Sequence, residues 1–536
     1  MAEGSSTLRA HRVVVIGAGV GGLVSALLLA CRGLDVTLVE RAATPGGKMR
    51  QVMAGGAAVD AGPTVFTMRW VLEQIFEAAG ASLSDSLKLT PLDVLARHAW
   101  GPAQRLDLFA DATRSADAIA QFSGPDEARR FIGFCAQARK VYDTLEGPYI
   151  RSARPTLLRM ATDLGPRGLG VLASLGPFAT LWRSLARHFH DPRLQQLFGR
   201  YATYCGSSPF AAPATLMLVA QVEMDGVWAV EGGMLAVAQA LADLAQRRGA
   251  TLRYGQACEE VLVRNGRASG VRLAGGETLE ADSVVFNGDV AALPAGLFGQ
   301  AATRAAPPVA PASRSLSAMT WAITARATGF PLVRHNVFFC DDYAAEFRDI
   351  FKHSRLPRQG TVYVCAQDRD DSGAQPAGRL SGTAPDGAER LLCLVNAPAT
   401  GDRGPFELSE IESCEQTHFA MLQRCGLTLD RHKSNTVLTT PTDFHQLFPA
   451  TGGALYGQAS RGWMDSFRRA SSTSRLPGLY LAGGSVHPGP GVPMAALSGQ
   501  LAAATLMAHL DSTSRSRRVV ISGGMSTRSA TTGSTR

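Results

Sequence analysis

The chain has 536 residues, of which 46% are hydrophobic and 18% charged, with a formal net charge of +8. That is apolar chain enough for two or three domains or one large interleaved unit. Nine dispersed cysteines with no C-x-x-C exclude a disulfide frame and read as reduced thiols in a cytoplasm; the positive charge comes with no binding motif, so no nucleic-acid partner is expected.

Met1–His11 is polar and reads as no signal peptide. Arg12 and Arg32 then enclose 19 residues without a charge, about the length that spans a bilayer. The glycines argue against a membrane helix, since each costs a helix about 1 kcal/mol relative to alanine. The texture also changes along the run: Val13–Ile16 is a β-branched block, Leu23–Cys31 is rich in Ala and Leu, and Asp35–Glu40 is extended again. Strand, glycine turn, helix and strand follow within about 30 residues, the setting in which G-x-G-x-x-G binds a dinucleotide. Gly17 allows the tight turn, Gly19 the approach of a pyrophosphate, and Gly22 the packing of helix on strand. The helix N-terminus presents free N–H groups to the phosphates. Glu40 ends the second strand, placed to accept from a ribose hydroxyl.

After Glu40 comes a glycine-rich connector, a short strand ending at Asp60 and a turn at Gly62-Pro63. Lys48 and Arg50 put positive charge where a diphosphate could lie. Residues 70–225 read mostly helical, with breaks at Pro125, Pro155, Pro166, Pro177 and Pro209. Within them, residues 129–200 carry twelve Lys or Arg against four acids, interleaved with Leu, Val, Phe and Trp. Such a segment suits either an anionic membrane surface or a solvated helical face.

A helix over Leu235–Arg248 leads to strands at Thr251–Tyr254, Glu260–Arg264, Gly270–Leu273 and Ser283–Phe286. Asn265-Gly266 and Gly275-Gly276 are the hairpin turns between them. Residues 300–470 mix helices with strands such as "TVYVCAQ" and "LLCLVNA". "GLYLAGGSVHPGPGVPMAALSGQLAAATLMAHL" gives a strand, a Gly/Pro loop and a closing helix with Pro493 at its first position. From Asp511 the composition predicts a disordered tail. Eleven dispersed histidines without a carboxylate box argue against a metal site, and no G-x-S-x-G occurs. A dinucleotide cofactor is left to carry redox chemistry.

"VVVIGAGVGGL", "VERAATPGGKMR", "DAGPT", "EGGM" and "LYLAGGSVHPGPGVPMAALSGQLAA" together resemble the FAD-dependent carotenoid desaturases of the bacterial phytoene desaturase type, over about residues 12–510. "RSLSAMTWA", "RHNVFFC" and "TVYVCAQDR" resemble the 1-hydroxycarotenoid 3,4-desaturases among them. The resemblance implies an α/β fold: a Rossmann-like FAD-binding domain of the amine oxidase type, interleaved with an α+β substrate domain and a helical, membrane-facing part. Residues 1–100, 226–300 and 471–510 would form the FAD-binding domain, 101–225 the helical substrate and membrane region, and 301–470 the substrate domain.

It also implies roles. Gly17, Gly19 and Gly22 would face the FAD pyrophosphate and Glu40 the adenosine ribose, with Arg41 beside it among the cofactor contacts. Gly47 and Lys48 would follow the diphosphate or ribityl chain. Gly62, Pro63 and Thr64 would line the flavin, Val261 would meet adenine through its backbone, and Gly483, Gly484, Val492, Pro493 and Met494 would surround the ribityl and pyrimidine end. Asp163 and Arg167 fall near positions considered close to the substrate; two surface charges on a membrane-facing helix is the competing reading.

The implied reaction is desaturation of an acyclic carotenoid, by hydride transfer to flavin N5, with oxygen or a quinone as final acceptor, in a cytoplasmic protein held at the membrane surface. A phytoene/neurosporene-type desaturase, a flavin-dependent carotenoid isomerase and a non-catalytic carotenoid carrier remain alternatives. An amine oxidase would need an aromatic amine cage, and the "GGSVHPGPGVPMA" loop supplies none.

Overall fold

The computed structural model describes residues 10–176, 178–370, 373, 387–462 and 464–521. The break expected at Pro177 and residues 522–536 of the expected tail lie outside them. A parallel five-stranded sheet stands at one end, in the order Leu479–Leu481, Ser283–Phe286, Arg12–Ile16, Asp35–Val39, Thr251–Arg253. Its central strand is buried on both faces, which is why it reads as an unbroken apolar run. Val13 and Val15 pack under the first helix (Val20–Ala30), while Val14 and Ile16 face a second core around Val261, Val271 and Phe286. Leu23 and Leu27 of that helix are fully buried, each stabilising the fold by about 1.5–3 kcal/mol. The 19-residue uncharged run is thus strand and helix, as its glycines indicate.

Beside the sheet lies a three-stranded antiparallel meander, Cys258–Arg264, Arg267–Leu273 and Thr278–Glu280. Both expected hairpin turns are present. Asn265 (φ 51°) and Gly266 (φ 73°) both take the left-handed region that a tight two-residue turn demands.

The second large layer is a seven-stranded sheet, in the order Thr436–Thr439, Ser317–Ala325, Glu389–Ala397, Val362–Ala366, His335–Phe338, Val94–Ala99, Arg105–Phe109. It is antiparallel except where Val94–Ala99 runs parallel to His335–Phe338. Here the structure departs from the sequence reading. Residues 89–109 were expected within a helical stretch; instead Leu89–Pro91, Val94–Ala99 and Arg105–Phe109 are strands. Val94–Ala99 also falls inside the span expected for the FAD-binding unit but joins the other sheet. Pairing with Trp228–Val230, with His335–Phe338 and between neighbouring strands overrides local propensity in such short segments.

Helices follow from Ala112 onward and share a core of Phe131, Phe134, Phe189 and Phe198. The helix Leu157–Ser174 is kinked at Gly165, just before Pro166. The closing helix runs from Val492 to Ile521, past the Asp511 boundary that composition suggested. Among the described residues, no helix is long and apolar enough to cross a membrane.

Candidate functional site

Three glycine segments stack where the parallel sheet ends. Gly19 bridges Gly46, and the Gly46 N–H donates to the Ala18 carbonyl at 2.9 Å. A Cβ on Gly22 would lie 2.1 Å from the Gly17 oxygen, and one on Gly62 would lie 1.9 Å from the Lys48 oxygen. Close backbone packing therefore requires glycine at both. The Gly17–Gly22 turn, the Gly47-Lys48 connector and the Gly62-Pro63-Thr64 turn form one continuous backbone surface.

Glu40 is fixed beside it. Its Oε2 accepts the Ala18 N–H at 2.7 Å and its Oε1 the Ala42 N–H at 2.8 Å. Each carboxylate oxygen retains a lone pair for a ribose hydroxyl. The N–H of Gln256 donates to the Glu40 carbonyl at 2.8 Å, and the Gln256 side-chain oxygen is buried without a partner. That orphaned acceptor fits an amino group of a base stacked beyond the ribose.

Two cations lie further along. Lys48 donates to the Leu455 carbonyl at 2.5 Å, and Arg469 donates to the carbonyls of Tyr456 and Gln458. Neither forms a salt bridge among the described residues. Burial lowers the pKa of both; Asp289 offsets part of the effect at Lys48, and Arg469 adds to it. Positive charge on the half-buried Lys48 and the buried Arg469, without a bonded carboxylate among the described residues, suits a diphosphate.

Asn287, which the sequence reading passed over, joins the first loop to the last. Its Nδ2 donates to the Gly17 oxygen at 3.2 Å, and its side chain lies against Gly19, Gly22 and Gly483. The Gly483 N–H donates to Ser498 on the closing helix. Val492 and Met494 pack partly buried against the core shared with the first helix. Pro493 is the second helical residue rather than the first, because the Gly491 carbonyl already accepts from Ala495; its missing N–H still costs nothing in the first turn.

Thr64 opens onto a polar wall. Its hydroxyl lies 2.7 Å from the Tyr363 hydroxyl, which lies 2.7 Å from Nδ1 of His335. Above the Tyr363 ring, at 5.5 Å, sits the Arg200 guanidinium, also 5.2 Å over Tyr204. Tyr201 donates to Glu223 at 2.7 Å, and Tyr204 donates to the same carboxylate. Burial opposes the Arg200 charge, but Tyr204 and Glu223 outweigh it and hold the guanidinium protonated.

Four expected site residues are not where the resemblance put them. Asp163 and Arg167 are exposed on the helix Leu157–Ser174, whose Met160, Leu164 and Leu172 face the core; four residues apart, the pair shares the solvent side and reaches no buried site. Val261 is fully buried and donates its N–H to the Phe298 carbonyl, so that group is closed to adenine. Arg41, exposed, also points elsewhere and donates to the Leu447 carbonyl. Aromatic side chains absent from the C-terminal loop do surround the site, but they come from Tyr204 and Tyr363, and Arg200 already covers them. A substrate ammonium would meet like charge there.

The stacked glycines, the Glu40 carboxylate beside them and the cations of Lys48 and Arg469 fit FAD. The model of the flavin containing amine oxidoreductase family matches residues 20–507. The chain belongs to that family, and its site is that of an FAD-dependent oxidoreductase. Within it, the chain is 71% identical to a hydroxyneurosporene desaturase of Rubrivivax gelatinosus, over 98% of this chain and 99% of the relative. It is 46% identical to a hydroxyneurosporene desaturase of Cereibacter sphaeroides, over 94% of this chain and 99% of the relative. Among solved structures it resembles putrescine oxidase bound to putrescine, with a TM-score of 0.57 at 15% identity, covering 93% of this chain and 99% of that one. That likeness concerns the fold alone.

Proposed function

We propose that the protein desaturates an acyclic carotenoid, introducing the 3,4 double bond beside a 1-hydroxyl group. The observation that carries this reading is 71% identity along nearly the whole of both chains to a hydroxyneurosporene desaturase, together with a glycine and Glu40 frame that fits the cofactor. A saturated carbon pair has no acidic proton, so removing two hydrogens requires a hydride acceptor, which FAD supplies when bound. Gly17, Gly19, Gly22, Gly47, Gly62, Gly483 and Gly484 leave room for it, and Glu40 would take the ribose. Lys48 and Arg469 would oppose the diphosphate charge. Pro63 and Thr64 would face the flavin, with Val492, Pro493 and Met494 at the pyrimidine end. Arg200 disfavours an amine substrate, which separates this reading from an amine oxidase.

The substrate is insoluble in water, so the protein would dock on a membrane surface to reach it. Leu158 and Phe178 are 78% and 81% exposed and Leu169 is exposed too, in a stretch of sequence that also carries the exposed Arg154, Arg159 and Arg167. A segment that combines exposed apolar side chains with arginines suits an anionic lipid surface. Oxygen or a quinone would then reoxidise the cofactor.

The test is product analysis. FAD-loaded protein is mixed with liposomes carrying acyclic carotenoids, hydroxylated at C1 or not. Gain of one conjugated double bond in the hydroxylated carotenoid supports the reading; a changed cis/trans ratio without loss of hydrogen makes the protein an isomerase instead.

A further inference from the structure

Two segments that the sequence analysis singled out, "RHNVFFC" and "TVYVCAQDR", lie on neighbouring strands of the seven-stranded sheet. Each contributes one polar side chain to the same point. His335 from the first and Tyr363 from the second are bonded to each other and, through the Tyr363 hydroxyl, to Thr64. Tyr363 is half-buried between the buried Val362 and Val364, and Thr64, Arg200 and Tyr204 likewise keep part of their surface open. Part of this cluster is therefore open to a partner, beside the turn that would line the flavin.

Resting on the function proposed above, we infer that the Tyr363 hydroxyl, with Thr64, is the subsite that receives the C1 hydroxyl of the carotenoid. The bond positions explain why it must be here. The oxygen on C1 is three bonds from C3, so a group that holds it has to stand at the edge of the flavin wall rather than far along a tunnel. A hydroxyl moved from water into an apolar tunnel costs roughly 2–7 kcal/mol unless it finds a partner. A phenol hydroxyl offers one donor and two acceptor positions, and a threonine hydroxyl the same. Their mutual bond and the bond to His335 leave positions free on both.

His335 is a positioning residue. Its Nε2 is buried with no partner, so the ring contributes only its Nδ1, which fixes the rotation of the phenol O–H. Burial and the nearby Arg334 and Arg200 keep the ring neutral, so Nδ1 can either donate or accept as the substrate oxygen requires. A carotenoid whose end group lacks the hydroxyl would leave these groups unpaired, and polar sites discriminate strongly against such analogues.

The test uses the FAD-loaded protein with two acyclic carotenoids of equal length, one hydroxylated at C1 and one not. Dissociation constants come from quenching of tryptophan fluorescence, and kcat and KM from product formation. In the unaltered protein the hydroxylated carotenoid is preferred. Tyr363→Phe lowers that preference at least tenfold, through KM and Kd more than kcat, with FAD content retained. His335→Leu does the same, and His335→Asn, whose amide can meet the phenol, restores most of it. Should Tyr363→Phe fail to hold FAD, Thr64→Val removes a hydroxyl at nearly constant shape and is read in the same way. An unchanged preference in the folded variants, or equal use of both carotenoids by the unaltered protein, overturns the subsite while leaving the desaturase reading intact. Failure to desaturate either carotenoid overturns the function itself.

Discussion

The carboxylate of Asp60 accepts the backbone N–H of Met234 at 2.9 Å, tying "DAGPT" to "EGGM" across 174 residues. The same oxygen would lie 2.2 Å from a Cβ on Gly233, whose φ is +82°. Asp60 also accepts from Gln51, and its backbone exchanges two hydrogen bonds with the side chain of Gln367, which directly follows the strand Val362–Ala366 of the large sheet. It joins the strand that leads into the Gly62-Pro63-Thr64 turn, the helix Leu235–Arg247 and the second sheet. Asp60→Ala is expected to cost about 1–3 kcal/mol, from unpaired buried donors, and to loosen the Gly62-Pro63-Thr64 turn. Thermal unfolding and FAD stoichiometry check this: a lower melting temperature with partial loss of FAD is the expected pair. Full FAD content at unchanged stability would refute the coupling.

Gly19 is the most direct test of the cofactor cradle. A Cβ there meets Asn287 Nδ2 at 2.8 Å, on the surface the diphosphate would approach. Gly19→Val should abolish FAD binding while leaving much of the secondary structure in place. The absorbance ratio of flavin to protein, with far-UV circular dichroism alongside, reads both halves. A stoichiometric yellow protein would contradict the assignment.

Membrane docking is expected to have separable charge and apolar parts. Leu158→Asp with Phe178→Asp removes exposed apolar area and adds repulsion from anionic lipid, so sedimentation with anionic liposomes should fall several-fold. In the unaltered protein, raising salt should release part of the bound fraction, since screening shortens the reach of the arginines. Equal binding to neutral and anionic liposomes would remove the electrostatic part.

Acid should destabilise the fold through histidines held neutral. Burial pushes His98 and His335 down to about 3 and His487 to about 4. In the unfolded chain all three titrate near 6.5. Between those limits the unfolded state binds more protons, so this stabilisation is complete above about 6.5 and is lost as pH falls towards the folded values. Each histidine contributes up to about 1.4 kcal/mol per pH unit. The melting temperature should therefore drop steeply between pH 7 and about 5. His98→Phe, which keeps the stacking on Trp100 and Phe339, should flatten the slope. A pH-independent melting temperature over that range would rule out the mechanism.

The sequence by itself determined the nucleotide-binding end of the molecule. Gly17, Gly19, Gly22 and Glu40 sit within one strand–turn–helix–strand unit, and the spacing of glycines and apolar residues expresses local geometry directly. The Asn265-Gly266 hairpin was legible for the same reason: two left-handed residues at a tight turn leave few choices. What lay beyond local chemistry was decided by tertiary structure. Val94–Ala99 became a strand because the edge it pairs with, at His335–Phe338, arrives far along the chain, and Arg105–Phe109 extends the sheet by pairing with Val94–Ala99. Asp163 and Arg167 carried charge at a plausible position, but the packing of Met160 and Leu172 turned that pair to solvent. Val261 lost its N–H to Phe298, a partner outside its own hairpin. The Thr64, Tyr363 and His335 wall draws on residues up to 299 positions apart. No periodicity encodes such a contact, because side chains meet across sheets only after each strand's register and facing have been set by all of its neighbours.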